Sequence, residues 1–256
     1  MPLYLLSASV LKRSKGHSAL GAATYQSGEK LIDLRDGKPH HYKFRTDVLH
    51  NEIMLPNSAP PEFSNQEALW NAVEMREDKS TRRGKAQLAR LLKVALQREF
   101  TPDVRKELLL KFVADNFVKV GMCADISIHA GVHSDNPHAH ILLTMRNVTI
   151  AGFELKNREW NDRYFLNQWR EEWAKAQNRE FMQRGMDERV AHKSHIRRGD
   201  HEHKPTLHLG PALSAMERRG VRTLKGDYNR AIVEEREDQK QREQEYQRSR
   251  GRERGR

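Results

Sequence analysis

The spacing of apolar and polar residues divides most of the chain into alternating strands and helices. β-prone apolar runs predict strands at residues 3–10, 50–55, 91–96, 122–130 and 138–146. Ser18 as an N-cap and Gly28 as a stop predict a first helix, one side of which is built of small residues. The polar segment from residue 33 to residue 47 predicts a loop or a short hairpin over the surface.

Three longer helices follow from apolar stripes and from end signals. Ser64 and Glu67 predict a capping box at the start of one helix. Thr101 and Pro102 open a second helix, and residues 160–185 predict a third. Strands that alternate with helices and end in a hairpin predict an α+β fold. We expect an antiparallel sheet with helices packed on one face, as in a palm-like two-layer sandwich.

The C-terminal part of the chain differs in composition from the rest. Residues 234–256 contain fifteen charged residues out of twenty-three and no aliphatic side chain. Such a segment lacks the apolar surface needed for a core of its own. We therefore expect one domain over residues 1–230 and a charged, flexible or helical tail over residues 231–256.

The charge balance indicates a polyanionic partner. The net charge is +11, and a basic protein of this size most often meets nucleic acid. The single cysteine, Cys123, excludes a disulfide framework and a cysteine-based zinc site, and it fits a reducing compartment. No apolar run has the length of a membrane span, and no export signal is visible. We expect a cytoplasmic protein that is not inserted in a membrane.

The strongest chemical signal is a group of histidines around one turn. Residues 128–140 read I-H-A-G-V-H-S-D-N-P-H-A-H. His138 and His140 share a face if they lie on a strand, and a hairpin with residues 130–137 as its loop brings His129 opposite His138. Three imidazoles on one face suit Zn, Mn, Fe, Ni or Cu and leave coordination positions open for catalysis.

The alternative to a metal site is that the histidines are ordinary residues of a sheet face, one of them hydrogen-bonded to a backbone carbonyl. The third histidine at hairpin distance and the apolar run that follows His140 favour a metal site. His133 lies in the predicted loop, and we expect it to be solvated. The His201 and His203 pair also has ligand spacing, but an exposed basic loop is the favoured interpretation there.

Four sequence blocks resemble a known family. They are R-S-K-G-H-S-A-L-G-A-A-T-Y-Q-S-G-E-K-L, then E-A-L-W-N-A-V-E with A-Q-L-A-R-L-L-K-V-A-L, then I-H-A-G-V-H-S-D-N-P-H-A-H-I-L-L-T, and last H-L-G-P-A-L-S-A-M-E-R-R-G with G-D-Y-N-R. In this order they resemble the MobA/MobL relaxases of mobilizable plasmids, which are His-hydrophobe-His endonucleases. The resemblance covers roughly residues 1 to 230.

The resemblance implies strand-specific nicking and rejoining of DNA at a plasmid transfer origin through a 5′-phosphotyrosine intermediate. It makes Tyr25 the nucleophile and His129, His138 and His140 the metal ligands. Among metals, Mn²⁺ is favoured, with Mg²⁺ or Zn²⁺ as alternatives. The implied partners are single-stranded origin DNA, accessory mobilization proteins and a coupling protein.

The chain departs from the family pattern in one strand. Members usually carry a carboxylate in the strand before A-L-P, where this chain has Leu91, Leu92 and Lys93, and Gln97 replaces the proline. The acidic support for the site must then come from elsewhere. The candidates for it are Asp33, Asp36 and Glu99.

Basic and aromatic residues supply candidate DNA contacts. The residues expected to track phosphates are Lys12, Arg13, Lys15, Arg82, Arg83 and Lys85. Tyr42 and Trp160 are expected to stack on unpaired bases. A solvated charged face would have the same composition.

Several other functions remain open at this point. A water-activating metallohydrolase would use the same histidines without a covalent step, and a non-catalytic basic DNA-binding module would use them structurally. A rolling-circle replication initiator would place its tyrosine after the His-x-His strand, whereas Tyr25 precedes it. Tyr25 could also be an ordinary helix tyrosine that packs its ring.

Overall fold

A computed structural model describes residues 2–42, 45–131, 136–194, 197, 199 and 204–253. His133, His201 and His203 lie outside the described residues, so the expectations for them stay predictions. Contacts divide the chain into two compact units, residues 1–192 and residues 193–256. The predicted boundary at residue 230 also stays a prediction, and each unit is described by itself below.

A five-stranded sheet forms the centre of the first unit, with the order β1-β5-β7-β6-β4. All four neighbouring pairs are antiparallel. The strands are β1 (Leu6–Lys12), β4 (Val48–Met54), β5 (Gln87–Ala95), β6 (Ala124–His129) and β7 (His138–Leu143). Two small hairpins lie outside this sheet: β2 (Leu31–Asp33) with β3 (Lys38–His40), and β8 (Arg146–Thr149) with β9 (Gly152–Lys156).

Helices cover both faces of the sheet. They are α1 (Ala19–Ser27), α2 (Gln66–Asp78), α3 (Pro102–Val113) and α4 (Arg163–Gln183). Ile126 and Ile141 point into a core with Trp173 of α4, whereas Leu142 points into a second core with Leu20 of α1 and Trp70 of α2. The α+β class is confirmed, but the expected arrangement with helices on one face is corrected to three layers. β6 and nearly all of β7 are buried because helices cover both sides of the sheet.

The ends of the predicted helices are largely confirmed. Ser18 caps α1 by accepting a hydrogen bond from the Gly21 amide at 3.2 Å, and Gly28 ends the helix at φ 77°. The start of α2 is a correction: its N-cap is Asn65, which accepts from the Ala68 amide at 3.0 Å. Ser64 instead ends a 3₁₀ turn and donates to a carbonyl of that turn.

A buried carboxylate fixes the start of α1. Glu74 of α2 is fully buried, and its Oε1 accepts a hydrogen bond from the Ala19 amide at 2.7 Å. Its Oε2 pairs with Arg13 at 2.6 Å and with Arg35 at 2.9 Å. The Glu74 carboxylate of α2 therefore contacts three parts of the chain: the segment before α1, the start of α1, and the β2–β3 hairpin. Removing one member of such a buried network costs about 3–5 kcal/mol.

A second buried carboxylate joins α2 to the sheet. Asp125 of β6 accepts hydrogen bonds at Oδ2 from Trp70 Nε1 at 2.6 Å and from Gln66 Nε2 at 2.8 Å. Its backbone carbonyl accepts from Gln26 Nε2 of α1 at 3.0 Å. Burial raises the pKa of the Asp125 carboxyl to about 6, although these hydrogen bonds oppose the rise.

Residues 193–256 form the second unit, and its described part includes two α-helices. It contains α5 (Gly210–Arg218) and α6 (Leu224–Glu253). Glu217 of α5 accepts from Arg230 of α6 and from the Thr223 hydroxyl, each at 2.6 Å. The hydrogen bond from Arg230 is the main cause that lowers the pKa of Glu217 to about 2. No described helix combines the length and the apolar character that a membrane span requires.

The raised pKa of Asp125 makes stability depend on pH. Below about pH 4 the carboxyl is protonated in both the folded and the unfolded chain. Between about pH 4 and pH 6 only the unfolded chain loses the proton, so the free energy of unfolding falls as pH rises. Asp125→Asn cannot ionise and should remove this fall. Urea unfolding of both proteins at a series of pH values measures it, and two parallel stability curves would contradict the prediction.

Candidate active site

The pairing of β6 with β7 brings three histidines together. His129 lies opposite His138, and Ser127 lies opposite His140. The ring centroids are 5.2 Å apart for His129 and His138, 4.7 Å for His129 and His140, and 5.3 Å for His138 and His140. One nitrogen from each ring lies within 4.8 Å of the others. The predicted hairpin register is confirmed, and the three rings form a group that could hold a metal ion.

Burial keeps the inner two imidazoles neutral. His129 is fully buried and His140 is 3% exposed, whereas His138 is half-buried. Burial is the main cause that lowers the pKa of His129 to about 4 and that of His140 to about 2. Neighbouring positive charges act in the same direction. Both rings are therefore neutral at pH 7, which is the form that binds metals.

Backbone carbonyls orient two of the rings. Nε2 of His129 lies 2.7 Å from the Gln26 carbonyl oxygen, and Nδ1 of His138 lies 2.7 Å from that of Asn136. Because a carbonyl only accepts, these nitrogens carry the protons. The other nitrogen of each ring is left with its lone pair, as in metal sites whose ligands are held by outer hydrogen bonds. The donor set thus fits a divalent ion of intermediate softness.

Tyr25 lies beside this group, in the last turn of α1. Its ring centroid is 6.2 Å from that of His140 and 5.3 Å from that of Tyr42. The side chain is 42% exposed, so the ring is open to solvent rather than packed in the core. The next residue, Gln26, is bonded to β6 through both its side chain and its carbonyl oxygen. The end of α1 is thereby docked at the histidine end of the sheet.

Arg45 is a site residue that the sequence did not reveal. Its guanidinium carbon lies 4.5 Å from the centroid of the Tyr25 ring, and Nη2 forms a short hydrogen bond with Nδ1 of His129. Nε forms an ion pair of 3.0 Å with Asp47. Arg45 lies in the segment interpreted as a surface loop, 84 residues from His129. No local motif marks it, because only the tertiary fold brings these two residues together.

Lys93 lies on the strand where the resemblance led us to expect a carboxylate. It pairs directly with His140 across β5 and β7, so it shares the face of the histidines. Its side chain is exposed, and its charge is among the causes that lower the pKa of His140. The structure therefore places a cation on the face of the sheet that carries the histidines.

The three predicted acidic residues lie in other surroundings. Both oxygens of Asp33 are bonded to Arg35, at 2.9 Å and 2.6 Å, and Asp36 pairs with Lys38 at 3.0 Å. Glu99 follows the end of β5 and interacts with Arg105. Within the described residues, the cluster of possible ligand atoms contains the three histidines and none of these acids.

The predicted DNA contacts fall into two groups. Arg82, Arg83, Lys85 and Lys15 are exposed, and Lys12 is half-buried. Arg13 is paired with Glu74 at 2.6 Å and with Asp78 at 2.5 Å, so its guanidinium is engaged within the fold.

The two aromatic candidates for base stacking also differ. Tyr42 is 47% exposed beside Tyr25. The expectation for Trp160 is corrected, because its side chain is 4% exposed and belongs to the core. A base cannot stack on a ring that other side chains already cover.

The fold and the site define a class: an α+β protein with a His-x-His strand at its centre and a tyrosine on the first helix beside it. The chain belongs to the MobA/MobL family, whose model matches residues 17–219. The resemblance seen in the sequence blocks is thereby confirmed.

Relatives and a solved structure agree with this assignment. The chain is 31% identical over 252 residues to mobilization protein MobL of Acidithiobacillus ferridurans, covering 86% of this chain and 65% of that protein. It is 31% identical over 277 residues to a probable mobilization protein MobA of Bifidobacterium longum, covering 91% and 47%. A chain solved in work on the molecular basis of vancomycin resistance transfer in Staphylococcus aureus matches with a TM-score of 0.69 and 29% identity, covering 75% of this chain and 99% of that one. The chain thus spans less than two thirds of the length of these two curated relatives.

The triad predicts a specific loss of metal on mutation. Replacing both His138 and His140 by alanine should reduce bound Mn²⁺ or Zn²⁺ to background, because one imidazole alone is a weak ligand. His129→Ala should have a similar effect, and His133→Ala should have a mild one. Titration of each metal into the purified variants, with calorimetric detection, measures this. Unchanged metal content in the double variant would refute the site.

Proposed function

We propose that this protein nicks and rejoins one strand of DNA at a plasmid transfer origin, with Tyr25 as the nucleophile. The observation that carries the proposal is the exposed Tyr25 ring at the edge of the histidine group, 6.2 Å from His140. An ordinary packing tyrosine would bury its ring. Membership in a family of mobilization proteins supports the same conclusion.

The reaction is a transesterification at phosphorus. The Tyr25 hydroxyl loses its proton as its oxygen bonds to the scissile phosphorus, the bond between phosphorus and the 3′-oxygen breaks, and the 3′-oxygen takes up a proton. The products are a 5′-phosphotyrosine and a free 3′-hydroxyl. In the reverse step the 3′-hydroxyl attacks the phosphotyrosine and restores the strand. The aryl ester keeps the energy of the broken bond, so no further energy source is needed for rejoining.

The residues of the chain set up the attack in two ways. The docking of Gln26 against β6 holds the preceding Tyr25 at a fixed distance from the histidines. Arg45 places a positive charge 4.5 Å from the centre of the Tyr25 ring, beside the position that the scissile phosphate must take for the attack. The exposure of the ring leaves room for a single strand to approach.

His129, His138 and His140 would hold the metal ion. When bound, a divalent ion neutralises charge on the nonbridging phosphate oxygens. Mn²⁺ suits three imidazoles better than Mg²⁺, which prefers oxygen ligands, and Zn²⁺ is the alternative. The neutral state of the two buried rings at pH 7 supports metal dependence.

A basic groove supplies a surface for the DNA backbone. It has a volume of about 840 Å³, and its lining includes Arg82, Lys85 and Arg158. Arg146 and Lys156 also line it, but Glu77 pairs with both of them.

The groove lies away from the histidines. It borders Gln87 at the start of β5, whereas Lys93 faces the histidines near the end of β5. At about 3.4 Å per residue, DNA in the groove would be roughly 20 Å from the site. Lys12, Lys15 and Arg83 are further candidate contacts.

The biological setting follows from the same proposal. The substrate is single-stranded origin DNA, and accessory mobilization proteins and a coupling protein are the expected partners in the cytoplasm.

A covalent protein–DNA product distinguishes this function from a water-activating metallohydrolase, which would release both DNA ends. The absence of any metal-dependent nicking would instead indicate a non-catalytic DNA-binding module. Tyr25 precedes the His-x-His strand, which disfavours a rolling-circle replication initiator.

Tyr25→Phe tests the nucleophile. The substitution removes only the hydroxyl, so folding and oligonucleotide binding should persist while nicking and adduct formation vanish. Labelled single-stranded origin oligonucleotides with Mn²⁺, followed by denaturing gel electrophoresis, measure the adduct. Tyr42→Phe is the matched control, because Tyr42 packs against the same ring and should retain adduct formation. A covalent adduct with Tyr25→Phe would show that another tyrosine attacks.

Lys93→Glu tests the effect of the cation beside the histidines. The lysine repels a metal ion and attracts phosphate. Reversing its charge should therefore tighten Mn²⁺ binding by about tenfold and weaken the binding of single-stranded DNA. Calorimetric titration of Mn²⁺ and binding of a labelled oligonucleotide at several salt concentrations measure both. Lys85→Glu is the control, because Lys85 lines the groove at the other end of β5. This variant should bind DNA more weakly and keep the Mn²⁺ affinity of wild type. Equal metal affinities of wild type and Lys93→Glu would show that Lys93 acts elsewhere.

A further inference from the structure

Arg45 contacts both halves of the candidate site at once. Its guanidinium carbon lies 4.5 Å from the centre of the Tyr25 ring, and its Nη2 donates to Nδ1 of His129. The side chain is 14% exposed, so most of it lies within the site. One short reorientation of this side chain would therefore change the surroundings of both the nucleophile and a metal ligand.

The contact with His129 uses the atom that a metal ion needs. Nε2 of His129 donates its proton to the Gln26 carbonyl oxygen, so Nδ1 holds the only free lone pair of the ring. Nη2 of Arg45 takes that lone pair. Because one lone pair cannot serve a guanidinium and a metal ion together, metal binding by His129 must displace Arg45. The two positive charges also repel each other.

The displaced guanidinium remains anchored close to the nucleophile. Asp47 holds Nε at 3.0 Å, and the Asp47 carbonyl oxygen accepts from the Ala130 amide at 2.8 Å, directly after β6. The Arg45 amide in turn donates to the Tyr42 carbonyl oxygen at 3.2 Å. Nη1 has no hydrogen-bond partner among the residues that the structure describes. A planar fork with free donors beside an attacking oxygen is suited to a phosphodiester.

We propose that Arg45 is a catalytic residue that occupies His129 in the metal-free protein and moves to a nonbridging oxygen of the scissile phosphate once a metal ion has taken Nδ1. This inference rests on the proposed function. Arg45 has the first role before a metal ion binds and the second role afterwards. In a site that has Lys93 in place of the usual acid, this arginine both limits metal affinity and supplies donors to the transition state.

Arg45→Met tests both roles, because it keeps much of the apolar stem and removes the guanidinium. Without DNA, the variant should bind Mn²⁺ about tenfold more tightly than wild type in a calorimetric titration. At saturating Mn²⁺, its rate of adduct formation with the origin oligonucleotide should fall about a hundredfold, as for the loss of one oxyanion donor. Arg45→Lys should retain part of that rate, since it keeps the charge but not the planar fork.

Two controls separate these effects from general ones. Lys30→Met removes the same unit of charge from an exposed position just after α1, and it should leave Mn²⁺ affinity unchanged. Thermal unfolding shows whether Arg45→Met is folded. A merely structural loss would weaken metal binding by loosening the histidines, so tighter binding cannot arise from damage to the fold. If Arg45→Met does not fold, Arg45→Gln, which also removes the charge, gives the same metal measurement.

The outcomes separate this inference from the proposed function. Mn²⁺ affinity of the uncharged Arg45 variant equal to or below that of wild type overturns the competition at His129. Unchanged adduct formation at saturating Mn²⁺ overturns the phosphate role. If wild type forms no adduct at all, the proposed function fails and the phosphate role fails with it. The titration without DNA still decides the competition in that case.

Discussion

The antiparallel pairing of β6 with β7 is the constraint on which the site depends. It places His129 directly opposite His138 and turns His140 to the same face. A slip of one residue would turn every side chain of one strand to the opposite face, and the three imidazoles would separate. The pairing is held on the far face by Ile126 and Ile141, which pack against α3 and α4. The apolar core on one side thus fixes the chemistry on the other.

The second requirement is the position of α1, which is set by polar contacts rather than by a large apolar stripe. Glu74 holds its first residue through a buried carboxylate, and Gln26 joins its last turn to β6. Unsatisfied buried polar groups are costly, so these contacts define one docking geometry. The helix is built of small side chains and lies close to α2. Tyr25 reaches the histidines because both ends of its helix are fixed.

The described part of the site carries more positive than negative charge. Arg45 and Lys93 both bring positive charge to the histidines, and Asp47 is the carboxylate that pairs with Arg45. A site with this charge favours a phosphodiester more than it favours a cation. Burial still keeps His129 and His140 neutral, which is the form that can bind a metal ion at pH 7. In the proposed mechanism metal binding and phosphate binding oppose each other, and Arg45 contacts both Tyr25 and the candidate ligand His129.

The sequence by itself determined the local features. The hairpin register, the α1 caps at Ser18 and Gly28, and the three histidines follow from side-chain alternation and turn signals that act over a few residues. Tyr25 could be singled out only by resemblance, since no spacing rule connects it to the hairpin. The tertiary structure decided the rest. It covered the second sheet face, buried Trp160, engaged Arg13 with Glu74, and joined Arg45 to His129. These contacts link segments distant along the chain, and local periodicity carries no information about which distant residues will meet.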